Sequence, residues 1–174
     1  MISFLNSIRK VGGGFEVEDD AITFFREHKD LRALHLETNV HPGFMTDWQQ
    51  PFVIMLTQAK GISTVHETVY EDRFGYVDTL LKMGADIALT PACLGNTPCR
   101  YARRDHLHSC TIRGASPLRS RDMTIPDLRA GFAYIIAALV ADGVSTIDGT
   151  SYLERGYADV PGKLTGIGAQ IELV

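Results

Sequence analysis

A chain of 174 residues, 45% apolar and 22% charged, has the balance of one folded domain and not that of a disordered segment. Its formal net charge of −4 argues against a general nucleic-acid binder, and no apolar run reaches the length that spans a bilayer. Three cysteines, an odd number, fit a reducing compartment better than a disulfide framework. The opening "MISFLNSIRK" has too short an apolar core for a signal peptide, so the expectation is a cytoplasmic protein.

Taken in chain order, residues 1–40 begin with the end of a helix, "SIRKV", then a glycine exit and a strand, "GGGFEV". Residues 41–90 read as helix, strand, helix, strand. Phe52, Leu56 and Ala59 recur at i, i+4, i+7 on the first helix, and "STVHE" has the β-branched content of a short strand. A second helix spans about Tyr76 to Met83 and leaves through Gly84 into a closing strand. Residues 91–122 are untidy, holding all three cysteines and six arginines between Arg100 and Arg121. They read as a long loop insertion with one strand near Thr111 to Arg113. Residues 123–174 repeat the 41–90 pattern: Phe132, Ile135, Ile136 and Leu139 mark its first helix, "VSTID" its strand, and Tyr157 to Ile167 its second helix.

The two copies align Asp47 with Asp127, Gly61 with Gly143, Arg73 with Arg155 and Gly84 with Gly168, a period of about 80 residues that marks a duplicated supersecondary unit. The first 40 residues match only the end of such a unit. Its first helix and strand are expected from a preceding segment or from another subunit.

Chemistry is expected at the helix starts. Asp47 and Asp127 stand where an N-cap is placed, and capping is the plainer reading of position alone. An exposed carboxylate there can also orient or deprotonate a substrate hydroxyl. Arg73, Arg129 and Arg155 sit near helix entries, where a cation opposes the helix dipole. An anionic ligand explains them better than helix stability does, because the guanidinium fork suits phosphate and carboxylate; surface ion pairs are the competing reading. In the cysteine–histidine segment five residues separate Cys93 from Cys99, and His106, His108 and Cys110 follow. That spacing is wider than the two to four residues usual in a structural zinc pair, so the segment reads as thiols without metal. No phosphate-binding loop of the dinucleotide or nucleotide-triphosphate type is present; Gly12 to Gly14 fit the helix exit of the repeat.

At "PGFMTDWQQPF", "ETVYEDRF", "MGADI", "PDLRAGF" and "ERGY" the chain resembles the enolpyruvyl transferases, from about Ser7 to the end. It is closer to the branch that acts on UDP-N-acetylglucosamine in peptidoglycan synthesis than to the shikimate branch. The stretch "CLGNTPCRYARRDHLHS" resembles an extended form of a segment that is shorter in most members. The resemblance implies an α/β fold, with helix-strand-helix-strand units as in the family's inside-out α/β barrel, lacking most of the first repeat. It implies transfer of the enolpyruvyl group of phosphoenolpyruvate to the 3-hydroxyl of UDP-N-acetylglucosamine. Cell-wall biogenesis and cell shape would be the biological role, with neither cofactor nor metal.

Residue by residue, Asp47 falls on the family aspartate that contacts the acceptor hydroxyl and is a candidate base. Val69 falls on the position whose backbone contacts the sugar nucleotide. Arg129 and Arg155 fall on catalytic arginines around phosphoenolpyruvate, and Arg73 on a further substrate-binding arginine of the cleft. On this footing Asp47 is both cap and catalyst, and Asp127 a cap alone. The family's lysine and general-acid loop have no counterpart here, and no cysteine inherits the acid role. The chain alone is therefore expected to be inactive until the missing N-terminal half, or a second subunit, completes it. A stand-alone nucleotide-sugar-binding or regulatory module is the alternative.

Overall fold

The step from helix through glycine into strand, read three times in the sequence, is present twice in full, and the third instance has the helix and the glycine without the strand among the described residues. The computed structural model describes residues 1–96 and 99–173. Thr97 and Pro98, inside the stretch read as an insertion, and Val174, the end of the last repeat, lie outside the described residues. Helix α1 (Ile2–Val11) leaves through Gly12 at φ 104° into β1 (Gly13–Val17). Gly84, at φ 103°, links α3 (Val77–Lys82) to β5 (Asp86–Thr90), and Gly168, at φ 97°, follows α6 (Val160–Gly166). A side chain at these left-handed positions would be strained, which is why glycine recurs there.

The one unit present whole begins with β3 (His35–Glu37), a 3-10 turn (Thr46–Trp48) and α2 (Gln49–Thr57). It continues through β4 (Gly61–His66), α3 and β5 to β6 (Ser109–Gly114). Helix-strand-helix-strand therefore holds, with a further strand at each end. Helix α1, β1 and β2 (Ile22–Arg26) precede it. A later unit comprises β7 (Met123–Thr124), α4 (Leu128–Val140), β8 (Ile147–Asp148), α5 (Ser151–Glu154) and α6. Residues 169–173 form no closing strand, unlike β5; β5 is held by β6, and the later unit has no equivalent of β6 among the described residues.

The main sheet runs β3-β4-β6-β5, with β3 parallel to β4 and β6 antiparallel to both its neighbours. The strand expected near Thr111 to Arg113 thus exists, but it lies inside the sheet instead of crossing a loop. Alternation explains its place: Cys110 and Ile112 are buried while Arg113 is exposed. In its register with β4, His66 faces Ser109 and Gly61 faces Gly114.

Helix α2 covers this sheet and is itself covered by α4. Phe52, Val53, Ile54 and Leu56 are all buried, as a helix enclosed on two sides requires. The inward face of α4 differs from the one its large side chains suggest. Ile135 is buried as expected and Ile136 packs partly buried against the core, but Ala130, Ala133, Tyr134 and Ala137 are buried as well, Leu139 is exposed, and Phe132 stacks on Tyr157 at 5.3 Å. Small residues let α4 approach α2 closely, and apolar bulk alone does not reveal that. At the other end of α2, Phe4, Phe44, Trp48 and Phe52 pack ring against ring at 5.2–6.3 Å and anchor the 3-10 turn.

Candidate active site and a cysteine–histidine cluster

Strand β4 ends in a buried carboxylate that organises the loop beyond it. Glu67 Oε1 accepts hydrogen bonds from Thr38 Oγ1 at 2.8 Å, from the Val69 N–H at 2.8 Å and from the Tyr70 N–H at 3.0 Å. Its Oε2 accepts from Thr46 Oγ1 at 3.0 Å. One side chain therefore fixes the turn at residues 67–70 and ties it to the 3-10 turn that carries Asp47. Glu67 lies inside the quoted "ETVYEDRF", but sequence reasoning gave it no role. A glutamate at a strand end carries no signal of burial by itself.

Asp47 is exposed, 65% for its side chain, whereas the Arg73 side chain is only 3% exposed. Arg73 donates from Nη2 to Asp47 Oδ1 at 2.8 Å and to the Thr46 carbonyl at 3.2 Å. Arg129 approaches the same oxygen, with Nε 3.6 Å from Asp47 Oδ1. Both guanidinium groups also face the Tyr70 ring, at 5.3 and 5.7 Å. Both arginines thus engage Oδ1, and Oδ2 of Asp47 has no partner among the described residues. The carboxylate is fixed on one side and open on the other.

The structure separates the two aspartates that the repeat aligned. Asp127 caps α4, its Oδ1 accepting from the N–H groups of Arg129 at 2.7 Å and Ala130 at 3.0 Å. Asp47 caps nothing: neither the 3-10 turn nor α2 has a side-chain cap. The expectation that Asp47 is a cap is corrected, because the extra turn moves it off the first residues of α2 and its carboxylate goes to Arg73. Asp127→Ala is accordingly expected to lower stability by about 1 kcal/mol, and Asp127→Asn to change it little, as thermal unfolding of the chain would show.

The N–H of Val69 is committed to Glu67, which leaves its carbonyl as the backbone group that can meet a ligand. Arg155 ends α5, with its guanidinium 5.6 Å from the Tyr152 ring. No ion pair among the described residues joins it to Asp47. The structure therefore brings together Asp47, Arg73 and Arg129, with Val69 on the same loop as Arg73, and leaves Arg155 apart.

A second cluster lies one residue before Glu67. His66, Cys93, Cys99 and His108 each offer a ligand atom, all within 4.8 Å of one another. Cys93, Cys99 and His108 lie in the segment whose spacing reads as thiols without metal; His66 lies outside it and reaches them only through the pairing of β4 with β6. Burial lowers the pKa of His66, opposed by the nearby Glu37. The third cysteine, Cys110, lies on β6 away from this group, and burial pushes its thiol up to about 12. Cys110 is expected to resist a thiol reagent in the native chain at mildly alkaline pH and to react once unfolded, measured by mass spectrometry of the labelled peptides.

Comparison with known proteins agrees with this architecture. A family model described as EPSP synthase (3-phosphoshikimate 1-carboxyvinyltransferase) matches residues 1–164. The chain is 58% identical, over its whole length, to a UDP-N-acetylglucosamine 1-carboxyvinyltransferase of Protochlamydia amoebophila (strain UWE25), of which it spans 37%. It is 36% identical to UDP-N-acetylglucosamine 1-carboxyvinyltransferase 2 of Bacillus subtilis (strain 168), with 97% of the chain and 36% of that protein covered. Among solved structures, the enolpyruvyl transferase NikO from Streptomyces tendae superimposes with a TM-score of 0.81 at 25% identity, covering 98% of this chain and 36% of that one. The chain thus spans a little over a third of the length of these relatives, and the fold is part of an inside-out α/β barrel. It belongs to the EPSP synthase family of enolpyruvyl transferases.

Proposed function

We propose that the chain supplies the acceptor-side part of an enolpyruvyl transferase acting on phosphoenolpyruvate and UDP-N-acetylglucosamine in peptidoglycan precursor synthesis, in the cytoplasm. The observation that carries this reading is the Asp47 carboxylate, anchored through Oδ1 by buried Arg73 with Oδ2 open. In the reaction, an acid protonates the methylene carbon of phosphoenolpyruvate, and the cation formed at the adjacent carbon is attacked by the 3-hydroxyl of the sugar. The hydroxyl proton passes to Asp47 as the new carbon–oxygen bond forms. Loss of a methyl proton and of phosphate then restores the double bond. A positioned carboxylate contributes about 10²–10⁴-fold to such a step.

Arg73 fixes the direction of the carboxylate. Arg129, held at the capped start of α4, supplies positive charge where phosphate and carboxylate of phosphoenolpyruvate gather. Arg155 joins that anion cluster when the substrates draw the elements together, and the Val69 carbonyl meets the sugar nucleotide. The acid comes from the remaining part of the enzyme, as an N-terminal half or a second subunit. That division also underlies the repeat boundaries proposed here, with 1–40 as a partial repeat, 41–90 and 123–174 as copies, and 91–122 as an insertion.

Phosphate release tests the reading. With phosphoenolpyruvate and UDP-N-acetylglucosamine, this chain alone is expected to release none, and its combination with the rest of the enzyme to release phosphate only when both substrates are present. Sustained release by the folded chain alone would contradict the division of the site. No release by the combination would contradict the function.

A further inference from the structure

We propose that His66, Cys93, Cys99 and His108 bind a structural zinc ion that ties Cys93 and Cys99 to the ends of β4 and β6. The four ligand atoms lie within 4.8 Å of one another, and Cys93 Sγ is 3.4 Å from His108 Nε2. The latter is close to the edge of a zinc tetrahedron with one sulfur and one nitrogen, about 3.5 Å from the usual bond lengths. The set comes from separate elements. His66 ends β4 and His108 immediately precedes β6, and the Glu67 N–H donates to the His108 carbonyl at 2.7 Å, so backbone pairing fixes both imidazoles. The two cysteines come down from the connecting loop.

Each imidazole is also oriented from behind. His108 Nδ1 lies 2.8 Å from the His106 carbonyl, an acceptor only, so the ring proton sits there and Nε2 presents its lone pair to the cluster. His66 Nδ1 lies 3.5 Å from Glu37 Oε2, the carboxylate–histidine pairing that backs many zinc ligands. The Tyr101 N–H points at Cys99 Sγ at 3.4 Å, a donor to a thiolate.

An independent observation points to a ligand. The His66 side chain is 1% exposed, and while Nδ1 faces Glu37, its buried Nε2 has no hydrogen-bond partner among the described residues. A buried imidazole rarely goes unpaired, and a metal at the centre of the cluster would satisfy Nε2. Two thiols and two imidazoles in tetrahedral reach select zinc over oxygen-loving cations. Binding releases the two thiol protons to solvent and involves no change of oxidation state. The ion would brace the strand end from which Glu67 projects toward the Asp47 turn.

The test uses this chain, purified without a metal-affinity tag from cells grown with zinc. Elemental analysis is expected to give about one zinc per chain, and cobalt exchanged into the site to show thiolate charge-transfer and tetrahedral d–d absorption. Cys99→Ser should lower zinc content about tenfold or more, and trypsin should then cut faster at Arg100, Arg103 and Arg104. Cys110→Ala should keep the full zinc content. If Cys99→Ser does not fold, the cobalt spectrum of the unaltered chain decides. A folded chain without zinc and without thiolate–cobalt absorption overturns the proposal, as does a Cys93–Cys99 disulfide or zinc content unchanged in Cys99→Ser.

Discussion

Glu67→Ala is expected to destabilise the chain by about 2–4 kcal/mol, because four donors lose one buried acceptor and only those near the surface can turn to water. The carboxylate holds Thr38, Thr46, Val69 and Tyr70 at once, so its loss frees both the turn after β4 and the turn bearing Asp47. Glu67→Gln keeps one carbonyl for Thr38, Val69 and Tyr70, and its amide can donate to Thr46 Oγ, whose hydroxyl accepts as well as donates. The glutamine variant should therefore lose about 1 kcal/mol. Guanidinium denaturation of the two variants measures the difference. A cost for Glu67→Ala no larger than for Glu67→Gln would mean that the carboxylate does not organise the site.

Asp47→Asn should have the larger effect on rate and the smaller one on folding. In the chain combined with the rest of the enzyme, turnover is expected to fall about 10²–10⁴-fold, the contribution of a positioned base. Stability should fall by only about 1 kcal/mol, because Asp47 caps no helix and the asparagine oxygen can still accept from Arg73, whose buried guanidinium loses its counter-charge. Asp127→Asn is the matched control: it conserves the cap of α4 and should leave turnover close to its original value. Steady-state phosphate release with each variant separates the two aspartates. Equal activity in Asp47→Asn and the unaltered protein would remove Asp47 from the chemistry.

What could be read from the sequence followed periodicity and motif. Phe52 and Leu56 are buried on α2 as expected, and Ala59 is buried just beyond its end; the recurring glycines mark the helix exits at Gly12, Gly84 and Gly168. The repeat pointed to Asp47, Arg73 and Arg155 and the helix entry to Arg129; the fold gathers Asp47, Arg73 and Arg129 and leaves Arg155 apart. What could not be read depends on contacts between distant segments. The alanine face of α4 follows from close approach to α2, not from bulk. Strand β6 takes its interior place by pairing with β4, more than 40 residues away in the register Gly61 to Gly114. That same pairing carries His66 to Cys93, Cys99 and His108, a juxtaposition that no local spacing contains. Duplication misled where the copies diverge: Asp47 and Asp127 differ in role because a 3-10 turn precedes α2 and none precedes α4, and, among the described residues, Arg155 does not join Asp47 as Arg73 does and no strand follows Gly168.

The central claim is that the open carboxylate of Asp47 receives the proton of a sugar-nucleotide hydroxyl during enolpyruvyl transfer. Identification of the product tests it most directly. With the rest of the enzyme present, phosphoenolpyruvate and UDP-N-acetylglucosamine should yield the sugar nucleotide carrying a carboxyvinyl ether at its 3-oxygen, seen by mass spectrometry and carbon NMR. Asp47→Asn should form it at a strongly reduced rate. An ether formed on shikimate 3-phosphate instead, or free pyruvate with no sugar adduct, would contradict the account.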